Sequence, residues 1–163
     1  MKILLTGATG FLGSHIAEAL LANDVNLMIT KRSMSSLNNC ISFIDHVQVI
    51  NSDNPIWISQ ACSFSPDIII HSAWTGVLSG NRYDWPVQLS NIDFMNSLLY
   101  IAEKSNVSKF IAIDRKQAGI FRDYPIKIPI FGLTTQSYKF RNVTFLCYIK
   151  QRIHKVNIRQ LYL

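Results

Sequence analysis

Residues 1 to 14, MKILLTGATGFLGS, combine an apolar run, a threonine and glycines at Gly7, Gly10 and Gly13, and lead straight into the amphipathic run Phe11 to Leu21. That order predicts a strand, a phosphate-cradling turn and a helix N-terminus. Gly7 is free to take backbone angles closed to other residues, Gly10 lets the chain approach a pyrophosphate, and Gly13 lets the helix lie close to the strand. The spacing is Gly-x-x-Gly-x-x-Gly rather than Gly-x-Gly-x-x-Gly. Exposed amides at the start of the Phe11 helix, with the positive end of its dipole, are suited to an anion. Thr9, Phe11 and Leu12 therefore join the three glycines as candidate cofactor-binding residues. A glycine triplet alone also serves a purely structural turn; its place between an apolar strand and a helix is what points to a dinucleotide.

Working outward, short apolar strands alternate with helical segments, with no repeat, low-complexity tract or linker between them. The strand candidates are Lys2 to Thr6, Val25 to Thr30, Val47 to Asn51, Asp67 to His71, Lys109 to Asp114 and Val156 to Leu163, all rich in Ile, Leu and Val. Helices are expected at Phe11 to Ala22, about Pro55 to Phe64, Asp84 to Ser105 and about Phe131 to Lys155. Such alternation predicts an α/β fold of Rossmann type: a doubly wound parallel sheet, covered on both faces by right-handed crossovers into three α/β/α layers. The ligand crevice then lies beyond the carboxyl ends of the strands.

With 163 residues, 48% hydrophobic and 16% charged, the chain is expected to form one domain, residues 1 to 163, and to bury a proper core. No apolar stretch is long enough to span a bilayer, and the N-terminus lacks the pattern of a signal peptide, so the expectation is a cytoplasmic protein with no membrane partner. Cys40, Cys62 and Cys147 are odd in number and far apart, with no Cys-x-x-Cys pair; they read as reduced structural thiols and give no metal site. The net charge is +6. Its cations gather in the last third, at Arg115, Lys116, Arg122, Lys127, Lys139, Arg141, Lys150, Arg152, Lys155 and Arg159, without the tight run or interleaved aromatics of a nucleic-acid face. A solvated surface and a rim that attracts a phosphorylated ligand both fit this placement, and a nucleic-acid partner is not expected.

The strand ends carry the other candidates. The second strand closes on Thr30, Lys31, Arg32 and Ser33, about where an adenosine ribose arrives. An acidic residue there clasps a free 2′-hydroxyl, whereas two cations and a hydroxyl suit a 2′-phosphate, so NADP is expected ahead of NAD. Asp53, past the third strand, is a candidate acceptor for the adenine amino group. After the fourth strand, Ser72 and Ala73 are small enough for a flat cofactor to lie against the backbone. His71 lacks a partner carboxylate or metal-like spacing and reads as a buried, hydrogen-bonded imidazole. Asn91 lies on a largely apolar helix face, either as a buried amide ordering the active-site backbone or as a surface residue.

TGATGFLGS, TKRS, HSAWTGVLSG, the run RYDWPVQLSNIDFMNSLLYIAEKSNVSKFI and, more loosely, VNIRQLYL resemble the extended short-chain dehydrogenase/reductase family of nucleotide-sugar epimerases, dehydratases and reductases. The resemblance is best before Ile113. It implies the doubly wound fold, NAD or NADP in the crevice, a sugar carried on a nucleoside diphosphate as substrate, and hydride transfer at a sugar carbon. Relatives often pair through the two helices flanking the active site, here Asp84 to Ser105 and Phe131 to Lys155, which implies a homodimer.

Chemistry in that family uses a Ser or Thr after the fifth strand and a Tyr-x-x-x-Lys at the start of the next helix, the tyrosine as acid/base and the lysine lowering its pKa. Here those positions read Lys116, Phe131 and Thr135, so no catalytic residue is assigned. Phenylalanine cannot exchange a proton. Tyr100 and Lys104 have the literal spacing but stand at the wrong edge of the sheet, and Tyr124 and Tyr138 have no Lys or Arg four residues on. The loop after the fifth strand reads as short, and the chain stops at Leu163, where relatives continue into the part that forms most of the sugar-nucleotide pocket. Two readings follow: the NAD(P)-binding domain of a nucleotide-sugar-modifying enzyme, or a truncated, non-catalytic dinucleotide-binding module.

Overall fold

The computed structural model describes residues 1–76, 83–115 and 143–148. Six strands carry the sheet: β1 (Lys2–Thr6), β2 (Asn26–Lys31), β3 (Gln48–Asn51), β4 (Ile68–His71), β5 (Lys109–Arg115) and β6 (Val143–Tyr148). Three helices are interleaved with them: α1 (Phe11–Leu21), α2 (Trp57–Phe64) and α3 (Trp85–Lys104). The strands lie in the order β3-β2-β1-β4-β5-β6 and every pairing is parallel. This is the doubly wound order, and its direction reverses between β1 and β4, the neighbours on either side of the crevice.

Successive side chains of a strand point to opposite faces, which sorts one apolar run into two cores. Leu4, Met28, Ile50, Ile69 and Phe110 face α2 and α3, where Trp57, Ala61, Phe64, Leu98 and Ile101 cover them. On the other face Ile3, Leu5, Leu27, Ile29, Ile70 and Ile111 pack with Ala17 and Leu20 of α1 and with Cys40 and Phe43 of the β2–β3 connection. A sheet buried on both faces needs unbroken apolar strands rather than alternating ones, and KILLT and IIIH are such strands.

Local signals end the helices where the fold requires. The Asp84 side chain accepts from the Val87 N–H to cap α3, with proline in its first turn and Lys104 in its last. Ser65, at φ 53°, closes α2 in the left-handed conformation just before Pro66. The first five expected strands and the first three expected helices are present, with ends differing by a residue or two.

The last third differs. Where the spacing predicts a helix over about Phe131 to Lys155, the structure has β6 at Val143–Tyr148, in parallel register with β5 from Phe110↔Val143 to Arg115↔Tyr148. The segment VTFLCY is β-branched and aromatic, and a parallel partner strand is available on the open side of β5, so pairing wins over helical spacing. The strand expected at Val156 to Leu163 lies outside the described residues, as do Lys116, Tyr124, Phe131, Thr135 and Tyr138.

Candidate dinucleotide-binding site

The turn between β1 and α1 is closed by the Gly10 N–H donating to the Gly7 carbonyl at 3.0 Å. Gly7 has φ +79°, and a Cβ there would lie 2.7 Å from the Ala73 backbone N. Both conformation and space exclude any other residue. A Cβ on Gly13 would collide with the Gly7 carbonyl, so that glycine sets the approach of α1 to the turn. Gly10 is different: its Cβ would meet only the Gly7 oxygen, at 3.4 Å, an ordinary contact. Packing within the protein therefore does not require glycine at position 10.

Gly10 is also the N-cap of α1, and no side chain caps the helix or places an acid in its first turn. The first intrahelical bond is from the Ser14 N–H to the Gly10 carbonyl at 3.0 Å, so the amides of Phe11, Leu12 and Gly13 precede the ladder. Together with the dipole they present positive potential at the switch point. Phe11 is exposed, its ring edge-on to His15 with centroids 4.8 Å apart, while Leu12 and Thr9 are half-buried.

At the end of β2, Lys31 is the last strand residue and Arg32 and Ser33 follow it into solvent. The Ser33 N–H donates to Asp53 Oδ2 at 2.7 Å, and Asn51 Nδ2 donates to Ser33 Oγ at 2.9 Å. Hydrogen bonds from the Ser33 N–H and the Ser33 side chain hold the Asp53 carboxyl below its ordinary pKa, with the Arg32 and Lys31 cations adding to the effect. Asp53, a candidate for the adenine amino group, is thus already engaged in shaping the β2 exit. Arg32 Nη1 donates to Thr75 Oγ1 at 3.2 Å, so the guanidinium spans from the β2 exit to the β4 exit, across the end of β1.

Beyond β4, the Ser72 N–H and Oγ both donate to the Thr6 carbonyl, at 3.2 and 3.0 Å, which draws that backbone against the glycine turn. The Ala73 N–H reaches Thr6 Oγ1 at 3.4 Å. His71 is buried, as its sequence context predicts, with Nδ1 2.7 Å from Thr6 Oγ1 and its ring 5.8 Å from that of Phe94. Its Nε2 has no partner among the described residues, and burial lowers its pKa to about 4.

Asn91 takes the buried alternative. Its Oδ1 accepts from the Thr75 N–H at 2.9 Å and its Nδ2 donates to the Thr75 carbonyl at 3.0 Å, tying α3 to the β4 exit. Thr75, which joins Arg32 to Asn91, is marked by nothing in the sequence beyond its place after a strand end. Tyr100 and Lys104 make a cation–π contact of 5.5 Å in the last turn of α3, which leads into the start of β5 and so sits at the opposite edge of the sheet from the crevice. Among the described residues no group of three or more His, Cys, Asp or Glu is placed to hold a metal, and no helix is long and apolar enough to cross a membrane.

Known structures share this fold. A UDP-glucose 4-epimerase of Thermotoga maritima, solved with UDP-glucose, aligns with a TM-score of 0.60 at 24% identity over 71% of this chain and 38% of its own. An epimerase of Methanothermobacter thermautotrophicus gives 0.62 at 22% identity, over 71% of this chain and 35% of its own. The Bordetella bronchiseptica enzyme WbmH, in complex with NAD+, gives 0.57 at 20% identity, over 71% and 39%. These likenesses show the fold, and the chain spans well under half the length of each of these structures. No curated protein matches it. Residues 3–114, which hold the glycine turn, the β2 and β4 exits and Asn91, match the NAD dependent epimerase/dehydratase family, and the chain belongs to that family.

Proposed function

We propose that residues 1 to 163 form one NAD(P)-binding domain of a protein that modifies a sugar carried on a nucleoside diphosphate. The observation that carries this reading is the uncapped N-terminus of α1 with backbone open at Gly10, a cradle that a single Cβ would fill. The diphosphate lies against Gly7, Thr9, Gly10, Phe11, Leu12 and Gly13, and the backbone at Ser72 and Ala73 lines the other wall. The adenosine ribose lies at Lys31, Arg32 and Ser33, with Asp53 beside it and Asn91 fixing the β4 exit. Two cations and no acid among these β2-exit residues support NADP ahead of NAD. The sugar-nucleotide class rests on the family and on the UDP-glucose in the Thermotoga structure.

Fluorescence titration with NADPH and NADH tests the site. Replacing Arg32 with Ala should weaken NADPH about tenfold and NADH much less, since a charge-assisted fork to the 2′-phosphate is lost only in the former. Equal weakening would remove the NADP assignment, and no binding of either nucleotide by the native chain would remove the dinucleotide reading.

A second reading is supported by the residues at the family's acid/base positions, Lys116, Phe131 and Thr135: a dinucleotide-binding module without turnover. Offering dTDP-linked keto sugars while following the absorbance of the reduced cofactor, and UDP-linked sugars with the oxidised cofactor while following conversion of the sugar, separates the two. Binding with neither oxidation nor conversion supports the module. Steady oxidation or conversion supports an enzyme in which another residue supplies the proton.

A further inference from the structure

An anion cradle built from backbone works only if its amides face the ligand and its carbonyl oxygens face away, because a carbonyl turned inward repels a diphosphate as strongly as an amide attracts it. In this turn each carbonyl from Gly7 to Gly10 is tied down. Gly7 O accepts from the Gly10 N–H and Gly10 O from the Ser14 N–H, bonds internal to the turn and helix. The other two are held from outside: Thr9 O accepts from Asn39 Nδ2 at 2.9 Å, and Ala8 O accepts from Cys40 Sγ at 3.5 Å.

Both donors sit on one short 3-10 turn, Asn38–Cys40, in the β2–β3 connection. That turn is fixed in place. The Cys40 N–H donates to the Leu37 carbonyl at 2.7 Å and the Phe43 N–H to the Cys40 carbonyl at 2.9 Å, while Cys40 and Phe43 are buried in the same core as Ala17 and Leu20 of α1. Burial also pushes the Cys40 thiol above its ordinary pKa, so the sulfur keeps its proton and remains a donor. Asn39 itself is exposed, and its side-chain amide does nothing for the core.

We propose that Asn39, with Cys40 beneath it, is a positioning residue for the diphosphate: by holding the Thr9 and Ala8 carbonyls away from the crevice, the pair keeps the turn in the one conformation that presents only amides to the anion. This rests on the dinucleotide reading above. Without the Asn39 donor the Thr9–Gly10 peptide keeps only the Gly10 N–H bond to the Gly7 carbonyl against turning its oxygen inward. With an aspartate there, a carboxylate faces that carbonyl and drives the rotation.

The test compares the native chain with Asn39→Ala and Asn39→Asp. NADH is titrated by fluorescence, and inorganic pyrophosphate and adenosine by shifts of backbone amide resonances, which reach millimolar affinities. Asn39→Ala should weaken NADH and pyrophosphate by about fivefold, the worth of one net hydrogen bond, and Asn39→Asp should weaken both further. Adenosine affinity and the thermal unfolding midpoint should not change. Undiminished NADH affinity in both variants, an equal loss for adenosine, or a loss matched by a lowered midpoint would each overturn the positioning role while leaving the dinucleotide reading intact. A native chain that binds neither NADH nor NADPH would overturn both.

Discussion

At Gly13 one added carbon meets backbone on two sides, the Gly7 carbonyl and the Ala8 Cα, and neither is the tip of a movable side chain. Gly13→Ala must therefore shift α1 away from β1, and overpacking of this kind destabilises by about 1–3 kcal/mol. Denaturant unfolding will report it as a lower midpoint at unchanged slope. Gly10→Ala makes the opposite prediction. Its Cβ has room within the protein, so stability should move by less than about 1 kcal/mol, yet the carbon stands where the proposed function puts the diphosphate, and NADH affinity should fall at least about tenfold. If Gly10→Ala bound NADH normally, the open backbone there would have no ligand to serve. The glycine spacing in the sequence announces the turn, but it cannot say which glycines the protein's own packing requires. That distinction needs the neighbours of each Cβ, and in the case of Gly7 those are Ser72 and Ala73, just beyond β4 and distant in sequence.

Asn91 shows how an element is fixed by a single buried amide. Its two bonds to the Thr75 backbone hold the N-terminal half of α3 to the β4 exit, and Asn91→Ala would leave a half-buried N–H and C=O at Thr75 unpaired, at about 1 kcal/mol of stability. Thr75→Ala keeps both of those bonds, since they use only backbone, and should lower the unfolding midpoint far less. Equal losses would mean that the Thr75 hydroxyl, through Arg32, holds the β4 exit as strongly as the two Asn91 bonds do. Most elements were readable because each is bounded by its own signal: Asp84 and Pro86 open α3, Pro66 follows α2, and glycines bracket the first turn. Within such boundaries an apolar run of four to six residues is a strand and a longer spaced one a helix. Val143–Tyr148 had no such boundaries. Lys139 and Arg141 before it and Lys150, Arg152 and Lys155 after it space the charges as a helix surface does, and only the free side of β5, a feature of the tertiary fold, selects the strand. The β2 exit was legible as chemistry but not as geometry. Its cations are plain in the sequence, whereas the bonds from Ser33 to Asp53 and from Arg32 to Thr75 join residues that only the sheet order brings together.

At the scale of the sheet, one described residue that ties molecular stability to pH is His71. His71 lies between Thr6 and Phe94 on the α3 face, buried and neutral, its pKa lowered from 6.5 to about 4. Unfolding releases the imidazole to water, where it binds a proton at any pH below about 6.5, while the folded chain leaves it unprotonated until about 4. The unfolded state therefore holds more protons throughout that window. Stability from this residue is complete above pH 6.5 and is lost as the pH falls toward 4, by about 3 kcal/mol in all from the 2.5-unit separation. Urea denaturation of the native chain between pH 6.5 and 5, where most carboxylates are still ionised, should show stability falling with acidity. His71→Gln retains a polar group at the β4 end but has no proton to gain, so its stability should be nearly flat over the same interval even if its value at neutral pH is lower. Parallel slopes for the two proteins would mean that the imidazole is reached by water or by an acceptor at Nε2 in the folded state, and the neutral core under α3 would have to be redrawn.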